Sequence, residues 1–178
     1  MAALKKAEVE LTKEMFKQID LIYTSTAIAF HRYWDWGGKR IKGLFDETTK
    51  TWDECAETNE KSMLQMLEDE TGIDIKRPDS DKSWHDVAYL NADIDIGDMT
   101  KPQIIYMRQQ QKKWIGCQII ACLFLSLHRK YGFATERLTR LMSQIYEIRD
   151  EFKWDRKALL KACDDETGIQ LVEGEVKE

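Results

Sequence analysis

Proline is almost missing from this chain: Pro78 and Pro102 are the only two among 178 residues. Proline costs about 3 kcal/mol inside a helix, so long stretches on either side of these two are free to be helical. Glycine is sparse too, nine in all, and none of it forms a phosphate-cradling loop. The histidines are three, His31, His85 and His128, with no HExxH pattern and no defensible Ser/His/Asp or Cys/His arrangement. Cys55, Cys117, Cys122 and Cys163 form no CxxC pair, which leaves neither a disulfide framework nor zinc-ligand spacing. They read as reduced, buried thiols of a cytosolic protein. No hydrophobic run is long enough to span a bilayer: Trp114 to Leu127 has 14 residues and includes Gln118, whereas a span needs about 20. The start, Met-Ala-Ala-Leu-Lys-Lys, lacks the apolar stretch of a signal peptide. The expectations are a cytoplasmic location, no cofactor, no metal and no membrane.

What is present is a balanced, charged, helical composition. Hydrophobic residues make up 43% and charged ones 33%, enough for a packed core under a solvated surface. The net charge of −5 hides an uneven distribution. Residues 51–100 carry fourteen Asp/Glu against four Lys/Arg, and residues 101–150 carry three against nine. Such asymmetry points to a charged partner surface. The alternative is that the two segments neutralise each other across the fold.

The chain also repeats itself. Ala29-Phe30-His31-Arg32-Tyr33-Trp34-Asp35-Trp36 returns as Ser126-Leu127-His128-Arg129-Lys130-Tyr131-Gly132-Phe133, and Arg40, Ile41 and Leu44 then match Arg137, Leu138 and Leu141. Asp69-Glu70-Thr71-Gly72-Ile73 reappears as Asp165-Glu166-Thr167-Gly168-Ile169. The offset is 97 residues at the histidines and 96 at the second motif. A period this long suggests a duplicated small domain, because solenoid periods are about 20–50 residues.

Helical periodicity divides each copy into one long helix and two shorter ones. Leu11, Met15, Ile19, Ile22, Phe30 and Trp34 form the first stripe, broken at Gly37-Gly38. Ile41, Leu44, Phe45, Thr48 and Trp52 follow, and then a third helix from about residue 58 to 71. In the second copy Thr100 is an N-cap with Pro102 in the first turn, and Gly132 stops the long helix with Phe133 packing back. Thr135 and Asp155 cap the last two helices. The shared Glu-Thr-Gly-Ile reads as a Schellman helix stop, not as an acid/base pair. The expected fold is all-α: two related three-helix units over residues 1–73 and 100–171, an irregular acidic linker at 74–99 and a flexible tail at 172–178.

Two groups of residues carry the candidate chemistry. Lys39 and Arg40 in one copy, and Arg129, Lys130, Arg137, Arg140 and Gln144 in the other, are of the types that reach phosphates or base edges. Tyr131 to Gln144 resembles the second half of a helix-turn-helix, although any amphipathic helix has a polar face. Asp93, Asp95 and Asp98 form an acidic surface whose spacing lacks the glycine and distal Glu of a calcium loop. His31-Arg32 and His128-Arg129 sit where cations favour a helix C-terminus by about 0.3–1 kcal/mol, and the role of the repeated histidines stays open.

The pattern Leu127-His128-Arg129-Lys130-Tyr131-Gly132-Phe133-Ala134-Thr135-Glu136-Arg137-Leu138, followed by Asp-Glu-Thr-Gly-Ile, resembles small phage and prophage proteins of Gram-positive bacteria. Their typical form is Leu-His-x-x-Phe/Tyr-Gly-Phe-Gly before a Lys/Arg-Arg-Leu helix; here Ala134 replaces the second glycine. The first copy departs further, with Asp35 in the place of Gly132. The resemblance covers about residues 120–170. It implies a counter-defence role, and in size, acidity and helical make-up the chain is similar to type II-A anti-CRISPR proteins, which bind Cas9. The reading is therefore a non-catalytic, phage-encoded binding protein that inhibits a host nucleic-acid-guided nuclease, Cas9 above others, acting on the nuclease or its ribonucleoprotein complex. The alternative is a DNA-binding phage accessory or regulatory protein that uses the helix-turn-helix-like element around residues 128–148.

Overall fold

The computed structural model describes residues 2–58, 61–87, 90 and 96–171. Six α-helices appear in it: α1 Ala2–Trp34, α2 Gly38–Thr58, α3 Met63–Thr71, α4 Lys101–Tyr131, α5 Thr135–Glu151 and α6 Arg156–Thr167. Among the described residues there is no strand, and no helix is long and apolar enough to cross a membrane.

The two long helices lie side by side and run parallel. Lys112 of α4 reaches Glu10 of α1, Gly116 sits against Gln18, and Tyr131 meets Trp36 just beyond α1. Their middle sections are buried almost all round: Asp20 to Phe30 except Tyr23, and Ile119 to Leu127. Most hydroxyls inside this core are satisfied, although the buried Thr26 Oγ1 has no partner among the described residues. Thr24 and Ser25 donate to the carbonyls of Asp20 and Leu21, and Ser126 donates to Cys122 O at 2.9 Å and Thr51 Oγ1 at 2.8 Å.

The short helices do not pack chiefly on the long helix of their own half. α2 and α3 lie mainly on α4, while α5 and α6 lie on α1. Residues at matched positions of the sequence repeat make matched contacts across this exchange. Arg32 of α1 binds Glu166 of α6, and Arg129 of α4 binds Glu70 of α3. Trp34 meets Phe133 and Trp36 meets Tyr131, each at 5.2 Å between ring centroids.

The helix ends follow local chemistry. Thr100 and Asp155 are the N-caps of α4 and α6, with Pro102 in the first turn of α4. Gly72, Gly132 and Gly168 all take the left-handed conformation. The Glu-Thr-Gly-Ile stop takes the αL form with a single 5→1 bond instead of the Schellman pair. Gly72 and Gly168 donate to the carbonyls four residues back, Glu68 and Asp164. The next amide, of Ile73 or Ile169, donates instead to Thr71 or Thr167 Oγ1, each at 3.2 Å. Thr135 is the first residue of α5 and Ala134 its N-cap. The Thr135 hydroxyl is turned outward from the cap and donates to Thr71 O at 2.6 Å. α3 begins at Met63, capped by Ser62, five residues later than the periodicity suggests.

Residues 74–99 are more than a tether. Ile75, Trp84 and Leu90 are buried, and the Trp84 indole N–H donates to Asp74 Oδ1 at 2.9 Å. Residues 84–86 and 96–98 form single 3-10 turns. Of the acidic trio, Asp98 is exposed on the second of these; Asp93 and Asp95 lie outside the described residues.

Candidate functional site

The two long helices end in an aromatic cluster that sets the position of the predicted cations. Phe30 stacks on Trp36 at 4.1 Å, and Trp36 meets Phe133 edge-on at 6.1 Å. Both Trp36 and Phe133 are buried. The chain can turn here because Gly132 has φ 67°. Asp35, at the matched position, takes the same left-handed conformation with φ 54°. The turns close alike: Phe133 N–H donates to Leu127 O and Trp36 N–H to Phe30 O, each at 3.1 Å.

α2 and α5 leave these turns carrying one arginine each on the cluster. The Arg40 guanidinium lies 3.9 Å from the Trp36 ring centroid, and that of Arg137 lies 5.7 Å from Phe133. Both side chains belong to exposed residues. Neither makes an ion pair among the described residues, and the same holds for Lys39, Lys130 and Arg140. Guanidinium planes backed by aromatic faces and free of carboxylates suit phosphates or an acidic surface.

Two of the predicted contact residues are occupied internally. Arg129 donates to Glu70 through Nε at 3.1 Å and Nη2 at 2.5 Å. Gln144 is half-buried and accepts the Trp34 indole N–H at 2.7 Å. The basic and acidic segments thus neutralise each other at Arg129–Glu70 but leave Lys130, Arg137 and Arg140 unpaired. His128 Nδ1 lies 2.9 Å from Phe133 O and fastens the turn, whereas His31 is exposed. The aromatic backing had a signal in the sequence that went unread: Trp36 precedes Arg40 by four residues, as Phe133 precedes Arg137.

Electrostatic shifts track these pairs. Hydrogen bonds from Arg32 hold the Glu166 carboxyl below the ordinary carboxylate range, and those from Arg129 do the same for Glu70. All four cysteines are buried thiols outside any disulfide. Burial pushes the Cys117 thiol up to about 12, so it is no nucleophile at neutral pH. Among the described residues no cluster of His, Cys, Asp or Glu is arranged to hold a metal ion.

No family model matches this chain, and comparison with curated proteins and with solved structures returned no significant match.

Proposed function

We propose that this chain is a duplicated three-helix unit whose copies have exchanged their short helices, and that it is a non-catalytic binding protein. Its binding end is the one that carries Lys39, Arg40, Lys130, Arg137 and Arg140, and its ligand is the nucleic acid of a ribonucleoprotein. The observation that carries this reading is the pair Arg40 and Arg137, seated on Trp36 and Phe133 with no carboxylate partner among the described residues. Phosphate contacts of this kind position a protein on nucleic acid without reading sequence. The resemblance to phage proteins supplies the target class: a host guided nuclease, Cas9 above others, which holds its heteroduplex in a positively charged channel. A protein of mixed charge fits such a complex, since its acidic segment faces the channel walls while its basic end holds RNA or DNA.

The test uses purified Cas9 with and without guide RNA. The full chain should co-elute with the guide-loaded complex on size exclusion and suppress cleavage of target DNA. Absence of both effects overturns the guided-nuclease reading. Binding to free duplex DNA with no effect on the nuclease supports the DNA-binding alternative in its place.

A further inference from the structure

A separate cavity of about 770 Å³ opens between α1, α4, the end of α5 and the Arg77–Asp79 loop. Along α4 its lining ends at Ile120, ten helical residues or roughly 15 Å before Lys130, and along α5 it begins at Tyr146, six residues or roughly 9 Å beyond Arg140, so the cavity and the basic end share no residue. The volume lies in the range of small-molecule sites, about 300–1,000 Å³.

Arg149 lines this cavity and is 3% exposed. Its Nε donates to Ser25 Oγ at a long 3.4 Å, and its Nη2 has no hydrogen-bond partner. No carboxylate pairs with it among the described residues. A buried charge in this state is destabilising until an opposite charge reaches it. Burial also pulls its pKa down, which has the same physical cause.

The walls around this guanidinium are aromatic and held in place. Arg149 Cζ lies 5.0 Å from the Trp154 ring and 5.7 Å from the Tyr146 ring. Trp154 gets there through a tight turn in which Lys153 and Trp154 have φ 52° and 60°. The left-handed region is unfavourable for bulky residues, and two bonds hold it. Trp154 N–H donates to Arg149 O, and its indole N–H donates to Asp150 Oδ1, both at 2.8 Å. Trp154 is 40% exposed, a high value for tryptophan in a fold with so large a core. Opposite, position 116 is glycine; a Cβ there would press on the Gln18 side chain at 2.9 Å.

The charge balance of the lining selects the ligand. Arg77 is bonded to Asp79 and Lys112 to Glu10. Glu14 accepts from Gln18 at 2.8 Å. The lining holds four cations and three carboxylates, a surplus of one positive charge. That suits a monoanion and disfavours a polyphosphate.

We propose that this cavity binds a small aromatic carboxylic acid, with the Arg149 guanidinium as the carboxylate receptor and Tyr146 and Trp154 as the walls against its ring. The site is independent of the nucleic-acid reading given above.

The experiment titrates the full chain with benzoate, phenylacetate and indole-3-carboxylate, with acetate and inorganic phosphate as comparison anions. Melting temperature and tryptophan fluorescence are the readouts. At least one aromatic acid should bind saturably, raise the melting temperature by several degrees and bind more tightly than acetate or phosphate. Arg149→Met should lose at least about tenfold in affinity, the scale of one charge-assisted hydrogen bond. Trp154→Leu, which keeps the charge, should weaken the aromatic acids but not acetate, so the proposal stays testable if Arg149→Met fails to fold. Lys42→Met, an exposed change outside the cavity, should bind as the parent does. No saturable binding by any aromatic acid, equal binding by Arg149→Met, or tighter binding of phosphate overturns the proposal.

Discussion

Arg32 grips Glu166 through two hydrogen bonds, Nε at 2.8 Å and Nη2 at 2.6 Å, across 134 residues of chain. Its Nη1 also reaches Glu151 at 2.7 Å. Arg129 and Glu70 repeat the two-bond arrangement between the other long helix and α3. The pairs therefore clamp each long helix to a short helix from the opposite half of the sequence. Partial exposure limits each to about 1 kcal/mol, so they fix which helices meet more than they stabilise the fold. The apolar core beneath them supplies the bulk of the stability.

The clamps have a pH signature. Glu70 and Glu166 are held below their ordinary value of 4.5 by hydrogen bonds from arginine. A depressed carboxyl pKa contributes stability above the unfolded value, and that stability is lost as pH falls through the native one. Glu70→Gln with Glu166→Gln should melt below the parent at pH 7. The gap should begin to narrow once pH falls below about 4.5, the unfolded carboxyl value, and go on narrowing as the native carboxylates protonate. A gap that stays constant down to pH 3 means the clamps contribute nothing electrostatic.

Asp35 offers a stabilising change. It sits at φ 54°, and its carboxylate makes no hydrogen bond or ion pair among the described residues. The left-handed conformation costs a non-glycine residue about 1–2 kcal/mol, and a negative charge beside a helix C-terminus costs about 0.3–1 kcal/mol. Glycine returns about 0.5–1 kcal/mol of this as lost chain entropy. The net gain is about 0.3–2.5 kcal/mol, so Asp35→Gly should raise the melting temperature by about 1–10 °C, measured by circular dichroism. A decrease indicates that Asp35 has an unrecognised role in the turn.

Gly168 tests the shared helix stop. Nothing crowds a Cβ at this position, so the whole effect of substitution comes from φ 69°. Gly168→Val should cost at least about 1–2 kcal/mol, a fall of about 2–8 °C in a chain of this size. Gly38 provides a contrast: its φ is ordinary, but a Cβ would lie 2.9 Å from Thr167 O. Gly38→Ala should therefore destabilise through overpacking, by about 1–3 kcal/mol. That outweighs the gain of about 1 kcal/mol in helix propensity.

Features that depend on a few neighbouring residues were legible in the sequence. Pro102 behind Thr100, Gly132 before Phe133, and the Thr-Gly-Ile stops each act within one turn of helix, so composition specifies them. The partners of each helix were not legible. An amphipathic stripe declares that a face is buried, without saying which face it meets, and Arg32 gives no local sign of Glu166. The same limit applies to the candidate site. Repetition singled out Arg40 and Arg137, but the polar face of α5 did not reveal that Gln144 is tied to Trp34. Arg149 follows the apolar positions Leu141, Ile145 and Ile148, yet arginine is so commonly exposed that nothing marked it as buried.

The unpaired and paired arginines should separate binding from stability. Arg137 and Arg140 are exposed and make no ion pair among the described residues, so Arg137→Glu with Arg140→Glu should leave the helical circular dichroism and the melting curve unchanged. If both touch phosphate, affinity for duplex DNA or for the guide-loaded nuclease should fall. For DNA, the slope of log affinity against log salt should flatten by about 1.8, because each lost contact removes about 0.9. Arg129→Glu is the complement. It replaces the Glu70 clamp with a repulsion, so the melting temperature should fall while the salt slope holds. The binding site is wrongly placed if the double variant binds with the parent's affinity and slope at low and moderate salt. If the double variant loses its cooperative melting instead, Arg137 and Arg140 are structural, and the cation resting on Phe133 helps hold the end of the bundle together.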